Sequence, residues 1–164
     1  MKRVEKVLIT LCSLGVAISF LVLIAAVLTQ VLGRTFGSSP VWTEELTRFA
    51  MLYTVAFGAG LSLRSGDLVN VDVVCESLPG DWPRRLRLLS AVAALALCGF
   101  LVPYAWKYVS IGAFQTSPAL GVRMDYIHFS VFALLFGIAL FALMRVVVMV
   151  FHADEGQPEN RMDL

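Results

Sequence analysis

The run from Val7 to Gly33, VLITLCSLGVAISFLVLIAAVLTQVLG, holds 27 consecutive residues without a charge. A helix needs roughly 20 apolar residues to cross about 30 Å of hydrocarbon, so this run is long enough to span a bilayer. Leu88 to Trp106 and Tyr126 to Met144 are likewise uncharged. A fourth run, Phe49 to Leu63, has only 15 residues. It spans only if Glu44, Glu45 and Arg48 lie at one interface and Arg64 at the other. The expected fold is an all-α integral membrane protein with four transmembrane helices. The transmembrane domain is expected over residues 1–152, followed by a polar cytoplasmic tail over 153–164 that carries Gly156 and Pro158.

Composition sets the same class. The chain is 59% hydrophobic and 15% charged, with a mean hydropathy of +0.80, values foreign to soluble domains. A net charge of +1, with basic residues scattered at helix ends, argues against a nucleic-acid partner. The connections between spans are too short to bury a soluble core, so no separate catalytic domain is expected. The opening Met1-Lys2-Arg3-Val4-Glu5-Lys6 looks like the basic start of a secretory signal. A signal's apolar region runs about 7–15 residues and ends at small residues. Here the run ends Val31-Leu32-Gly33-Arg34, which reads as an uncleaved first helix. At about 1.5 Å per residue it is about 40 Å long and must tilt or protrude.

Orientation follows from the basic residues. With a cytoplasmic N-terminus, nine of thirteen fall inside and four, Arg34, Arg48, Lys107 and Arg123, fall outside. That bias predicts both termini in the cytoplasm. Trp42 and Trp106 then mark the outer interface and Trp82 the inner one. Cys12 and Cys98 fall inside spans and Cys75 on the cytoplasmic side, where they suit packing better than disulfides.

The residues carry little chemistry. A haem needs axial ligands converging on one iron, yet His128 and His152 stand about 36 Å apart along one helix. His128 reads as an interfacial or helix-packing residue. Nothing has metal-ligand spacing, a phosphate loop or a nucleophile motif, so no cofactor and no enzyme activity are expected. An autonomous ion-coupled exporter needs an ionisable residue near the bilayer centre. The deepest polar groups, Gln30, Thr54, Ser62 and Ser90, are all neutral.

A structural role in a complex fits better. Ala56 and Gly60, with Gly58 between them, form a small-xxx-small spacing that lets helix backbones approach closely. That approach serves either the chain's own bundle or another protein. Ser39 and Pro40 suit a helix cap and first turn, and Glu44 and Glu45 follow where the helix dipole favours acids. Glu44 and Arg48 are four apart and Glu45 and Arg48 three, spacings at which side chains can pair.

The run Trp42-Thr43-Glu44-Glu45-Leu46-Thr47-Arg48 resembles the W-x-E-E-x-x-R signature of the small membrane subunit (DctQ-like) of tripartite ATP-independent periplasmic (TRAP) transporters. Arg64-Ser65-Gly66, then Val71-Asp72 and Leu78-Pro79, resemble that family's next block. Gln115-Thr116-Ser117-Pro118-Ala119-Leu120-Gly121 looks like its outer loop before the last helix. The three blocks occur in the family's order, from Trp42 to the fourth span; the first helix is similar in length and position. Asp67 stands where the family commonly has histidine, and Arg123 and Asp125 replace a proline and an aromatic residue.

This resemblance implies a small permease subunit of the bacterial inner membrane. Its expected partners are the lipid bilayer, a large membrane transport subunit that it scaffolds, and a periplasmic substrate-binding protein. The cargo would be a small organic anion taken up on a sodium gradient, with the substrate-specific residues on the other chains. Trp42, Glu44, Glu45, Arg48, Ala56 and Gly60 are the candidate partner interface. The alternatives are the autonomous exporter and a scaffold subunit of an unrelated membrane complex. Between spans two and three, Leu68, Val71, Cys75 and Leu78 recur at helical spacing. That predicts a short amphipathic interfacial helix; the alternating Val69, Val71 and Val73 offer a strand, which membrane depth disfavours.

Overall fold

The structure, a computed structural model, describes residues 2–38, 40–65 and 82–151. They form four long helices: α1 (Lys2–Thr35), α2 (Trp42–Ser65), α3 (Trp82–Gly112) and α4 (Met124–Phe151). Each is long and apolar enough to cross a membrane. At about 1.5 Å per residue, the 34 residues of α1 extend for about 51 Å, longer than the roughly 30 Å of hydrocarbon a span must cross. The predicted interfacial helix between the second and third spans, and the predicted tail, lie outside the described residues.

Each apolar run became a helix for one reason. Inside hydrocarbon every backbone amide must find its partner within the segment, and only a helix provides that locally. The helices pack in a row, α1 on α2, α2 on α4 and α4 on α3. Chain order and spatial order therefore differ, because α4 inserts between α2 and α3.

The row is held by narrow stripes. On α1 the less exposed positions Leu8, Cys12, Gly15, Ser19, Leu23 and Ala26 recur every three or four residues. Gly15 brings α1 close to α2, where an added Cβ would stand 2.7 Å from the Phe57 ring. On α3 the buried positions Ala91, Cys98, Ala105 and Gly112 recur every seven residues, and all are small. A heptad of small residues lets α3 approach α4 closely from Ala91 to Gly112. Cys98 is one member of that stripe, a free thiol in a packing position.

Ala56 and Gly60 complete the pattern on α2. Ala56 is buried, and a Cβ on Gly60 would stand 3.0 Å from the Phe141 ring of α4. Of the two uses open to this small-xxx-small spacing, the chain's own bundle takes it. Toward the end of the bundle that holds the N-terminus, Leu63, Phe141 and Ala142 form a cluster. Leu8, Ile9 and Cys12 of α1 and Ala94 and Leu95 of α3 pack against it, so all four helices meet there.

The closest approach is at the opposite end. Gly112, the last residue of α3, faces His128 of α4: an added Cβ would lie 2.5 Å from its Nδ1 and 2.8 Å from the Asp125 nitrogen. His128 is buried, stacks on the Tyr108 ring at 3.9 Å and places Nδ1 3.1 Å from the Tyr108 carbonyl. It is a helix-packing residue, one of the two roles its sequence position suggested. Trp106 meets Phe132 of α4 edge-on at 5.3 Å, extending the same seam.

Two glycines of α3 should therefore respond in opposite directions to the same change. Gly112→Ala forces His128 and the start of α4 outward and should destabilise the detergent-solubilised chain by about 1–3 kcal/mol. Gly99 has nothing within 4 Å of the added methyl. Gly99→Ala should stabilise by about 0.5–1 kcal/mol, the backbone entropy a helical glycine forfeits. Thermal unfolding midpoints of the two variants, compared with the parent, check both signs.

Candidate partner interface

Helix α2 starts at Trp42, two residues after Pro40. The Pro40 carbonyl accepts from the Thr43 hydroxyl at 2.6 Å and from the Thr43 amide at 3.3 Å. The proline thus sits just ahead of the helix rather than inside its first turn, and its carbonyl anchors the entry. Ser39, the expected cap, lies outside the described residues. Thr43 is fully buried, which fixes the azimuth of the helix. The residues after it then point in different directions.

Glu44 turns toward α1. Its Oε1 accepts from Gln30 Nε2 at 3.4 Å and lies 3.6 Å from the Arg34 guanidinium. Both contacts are exposed, so they orient α1 against α2 more than they stabilise the pair.

Glu45 turns the other way, into the loop between α3 and α4. One carboxylate oxygen accepts from the Ser117 hydroxyl, the Ala119 amide at 3.2 Å and the Leu120 amide at 3.3 Å. The loop is shaped to present those donors. Thr116 and Arg123 form an antiparallel bridge, and the Ser117 amide donates to the Val122 carbonyl at 2.8 Å. Gly121 closes the turn at φ +64°, a conformation that glycine adopts without strain, and its amide donates to the Ser117 carbonyl at 2.9 Å. Successive amides in such a turn form a concavity for an anion. Here the chain's own carboxylate fills it. Ser117 is itself buried, so Glu45 also satisfies a hydroxyl withdrawn from water.

Arg48 is left over. The pairings with Glu44 and Glu45 allowed by helical spacing are not formed, because Arg34 and the loop hold the two carboxylates. Glu45 attracts Arg48 only through space. Its side chain is exposed on α2. Trp42 is partly exposed at the helix start, and Ala56 and Gly60 face inward. The six candidate residues therefore do not converge on one surface: two acids tie the bundle together, two small residues pack it, and Trp42 and Arg48 remain accessible.

Two further contacts escaped sequence reasoning. The Tyr53 hydroxyl donates to the Tyr126 carbonyl at the start of α4, joining two inner helices of the row. Arg123 and Asp125, the residues that depart from the family pattern in the loop, pair with each other at 2.6 Å. Asp125 also accepts from the Tyr126 amide at 3.0 Å, in the first turn of α4 where an acid is favoured. The departure is thus internally balanced. Opposite charges two residues apart at a helix start were the signal for it.

Four helices long and apolar enough to cross a membrane define a polytopic membrane subunit. Residues 23–152 match the family described as tripartite ATP-independent periplasmic transporters, DctQ component. The chain belongs to that family: it is a small permease subunit of the TRAP class, a multi-pass protein of the inner membrane. It is 22% identical over 117 residues to the sialic acid TRAP transporter small permease protein SiaQ of Vibrio cholerae, covering 70% of this chain and 68% of that one. Two putative TRAP transporter small permease proteins of Haemophilus influenzae are also similar. One is 24% identical over 156 residues, 94% of each chain, and the other 23% over 99 residues, 60% of each.

The Glu45 contact predicts a non-additive pair. Glu45→Ala and Ser117→Ala should each lower the unfolding midpoint and speed proteolytic cleavage within residues 113–123. The double variant should be no worse than Glu45→Ala alone, since both changes break one network. Additive losses would mean that the two residues act independently.

Proposed function

We propose that this chain scaffolds a large membrane transport subunit. The assembly takes up a small organic anion delivered by a periplasmic binding protein. Both termini of the small chain face the cytoplasm, and the loop that receives Glu45 faces the periplasm. The observation that carries this reading is the neutral middle of every span: no Asp, Glu, Lys or Arg lies between residues 7 and 33, 49 and 63, 88 and 106, or 126 and 144. A carrier of anions or cations places binding groups at that depth. The coupling and substrate groups therefore belong to another chain, and this one supplies packing surface. Large apolar side chains on all four helices, such as Leu21, Leu52, Leu97 and Phe136, are exposed and await lipid or protein cover.

Reconstitution into liposomes tests the reading. The chain alone should give no solute flux under an imposed ion gradient. Uptake should appear when the large subunit and the binding protein are added, and flux from the chain alone would make it an autonomous exporter. Topology is checked separately by thiol labelling of cysteines placed singly at Ser38, Asp81, Ser117 and Gln157. Ser38 and Ser117 should react from the periplasmic side only, and Asp81 and Gln157 from the cytoplasmic side only.

A further inference from the structure

Four cations cluster at the end of the bundle that carries the Glu45 loop, and three of them have partners within the chain. Arg34 pairs with Glu44, Arg123 pairs with Asp125, and Lys107 lies over the Tyr104 ring at 5.6 Å. Arg48 has neither a hydrogen bond nor an ion pair among the described residues, although it follows two acids in the sequence. Both acids are engaged elsewhere, as described above.

What lies along the same helix face matters as much. Met51, Leu52 and Val55 stand three, four and seven residues after Arg48, so they share its face. They are 59%, 44% and 49% exposed. The result is an apolar strip headed by one unpaired guanidinium at the membrane edge. Helix α1 also exposes a broad apolar surface, but that surface carries no charge between Val7 and Gly33 and suits lipid tails. Helix α2 is the least apolar of the four spans, although it is an inner member of the row.

We infer that the Arg48–Met51–Leu52–Val55 face of α2 docks on a transmembrane helix of the large subunit that carries an acidic side chain, whose carboxylate pairs with Arg48. The inference rests on the reading of the chain as a small subunit bound to a large one, and names the surface and the chemistry of that contact. The fork of the guanidinium matches a carboxylate in two parallel hydrogen bonds, and the apolar strip beneath it excludes water from the pair. The diversion of Glu44 to Arg34 and of Glu45 to the loop leaves the arginine free for a partner in trans.

The test uses the co-expressed complex. A photo-crosslinking amino acid placed at Leu52 or Val55 should give an adduct with the large subunit, whereas the same group at Leu97 of α3 should not. In phospholipid-depleted detergent, Arg48→Gln should raise the dissociation constant of the two subunits at least about 100-fold, as expected when a desolvated pair loses one member. Arg48→Lys should raise it less than Arg48→Gln, because the charge remains. In the Arg48→Glu background, changing the partner's acid to arginine should restore binding. Adducts from Leu97 alone, with the complex intact, would overturn the inference while leaving the small-subunit reading in place. Unchanged affinity in Arg48→Gln, with loss only of bound anionic phospholipid, would assign the counter-charge to lipid and overturn it as well. Failure of the unaltered chain to bind the large subunit would remove the underlying reading itself.

Discussion

Hydrocarbon tolerates neither a bare charge nor an unpaired backbone amide, and nearly everything in this molecule follows from that. A charged side chain at mid-membrane costs about 2.5–3.5 kcal/mol on insertion scales, and each orphaned amide costs several more. Four uncharged runs therefore become four helices, and ionic chemistry is confined to their ends. Association between the helices then depends on close packing, since lipid tails are as apolar as leucine. The chain answers with small residues: Gly15 against Phe57, Gly60 against Phe141, and the Ala91, Cys98, Ala105 and Gly112 stripe along α3.

The end of the bundle that carries the Glu45 loop does a different job. Packing of smooth apolar helices leaves rotation and sliding weakly specified, whereas directional hydrogen bonds specify them. Glu44 locates α1, Glu45 locates the loop between α3 and α4, and Tyr53 locates the start of α4. All three lie in the first half of α2, so this helix sets the register of the row. A scaffold needs such rigidity, because a partner can be positioned only by a surface that is itself fixed.

The spans were legible in the sequence because apolar length is a one-dimensional signal that needs no knowledge of neighbours. The W-x-E-E-x-x-R run was legible as a family mark for the same reason. What the run does was not. Helical spacing allowed Glu44 and Glu45 to pair with Arg48, but the stronger claims came from Arg34 and from a loop more than seventy residues away. No local pattern predicts that competition. The order of the row was also hidden, since it depends on which stripes match which. The seven-residue recurrence of small residues on α3 was visible and could have identified the face turned toward α4. The inward use of Ala56 and Gly60 was one of two readings of the same spacing, and only the placement of Phe141 chose between them.

On this reading of the spans, the neutral middles of the four helices meet only lipid or protein and line no aqueous path. Spin labels placed one at a time along α2, from Arg48 through Leu52 and Val55 to Ala59, measure this in vesicles of the chain alone. Collision rates with oxygen and with a water-soluble nickel chelate report what each label meets. Nickel accessibility should be high at Arg48 and fall to a minimum near Val55, while oxygen accessibility rises toward the same point. Nickel accessibility at Val55 equal to that at Arg48 would mean that water reaches mid-membrane and that these helices line an aqueous path after all.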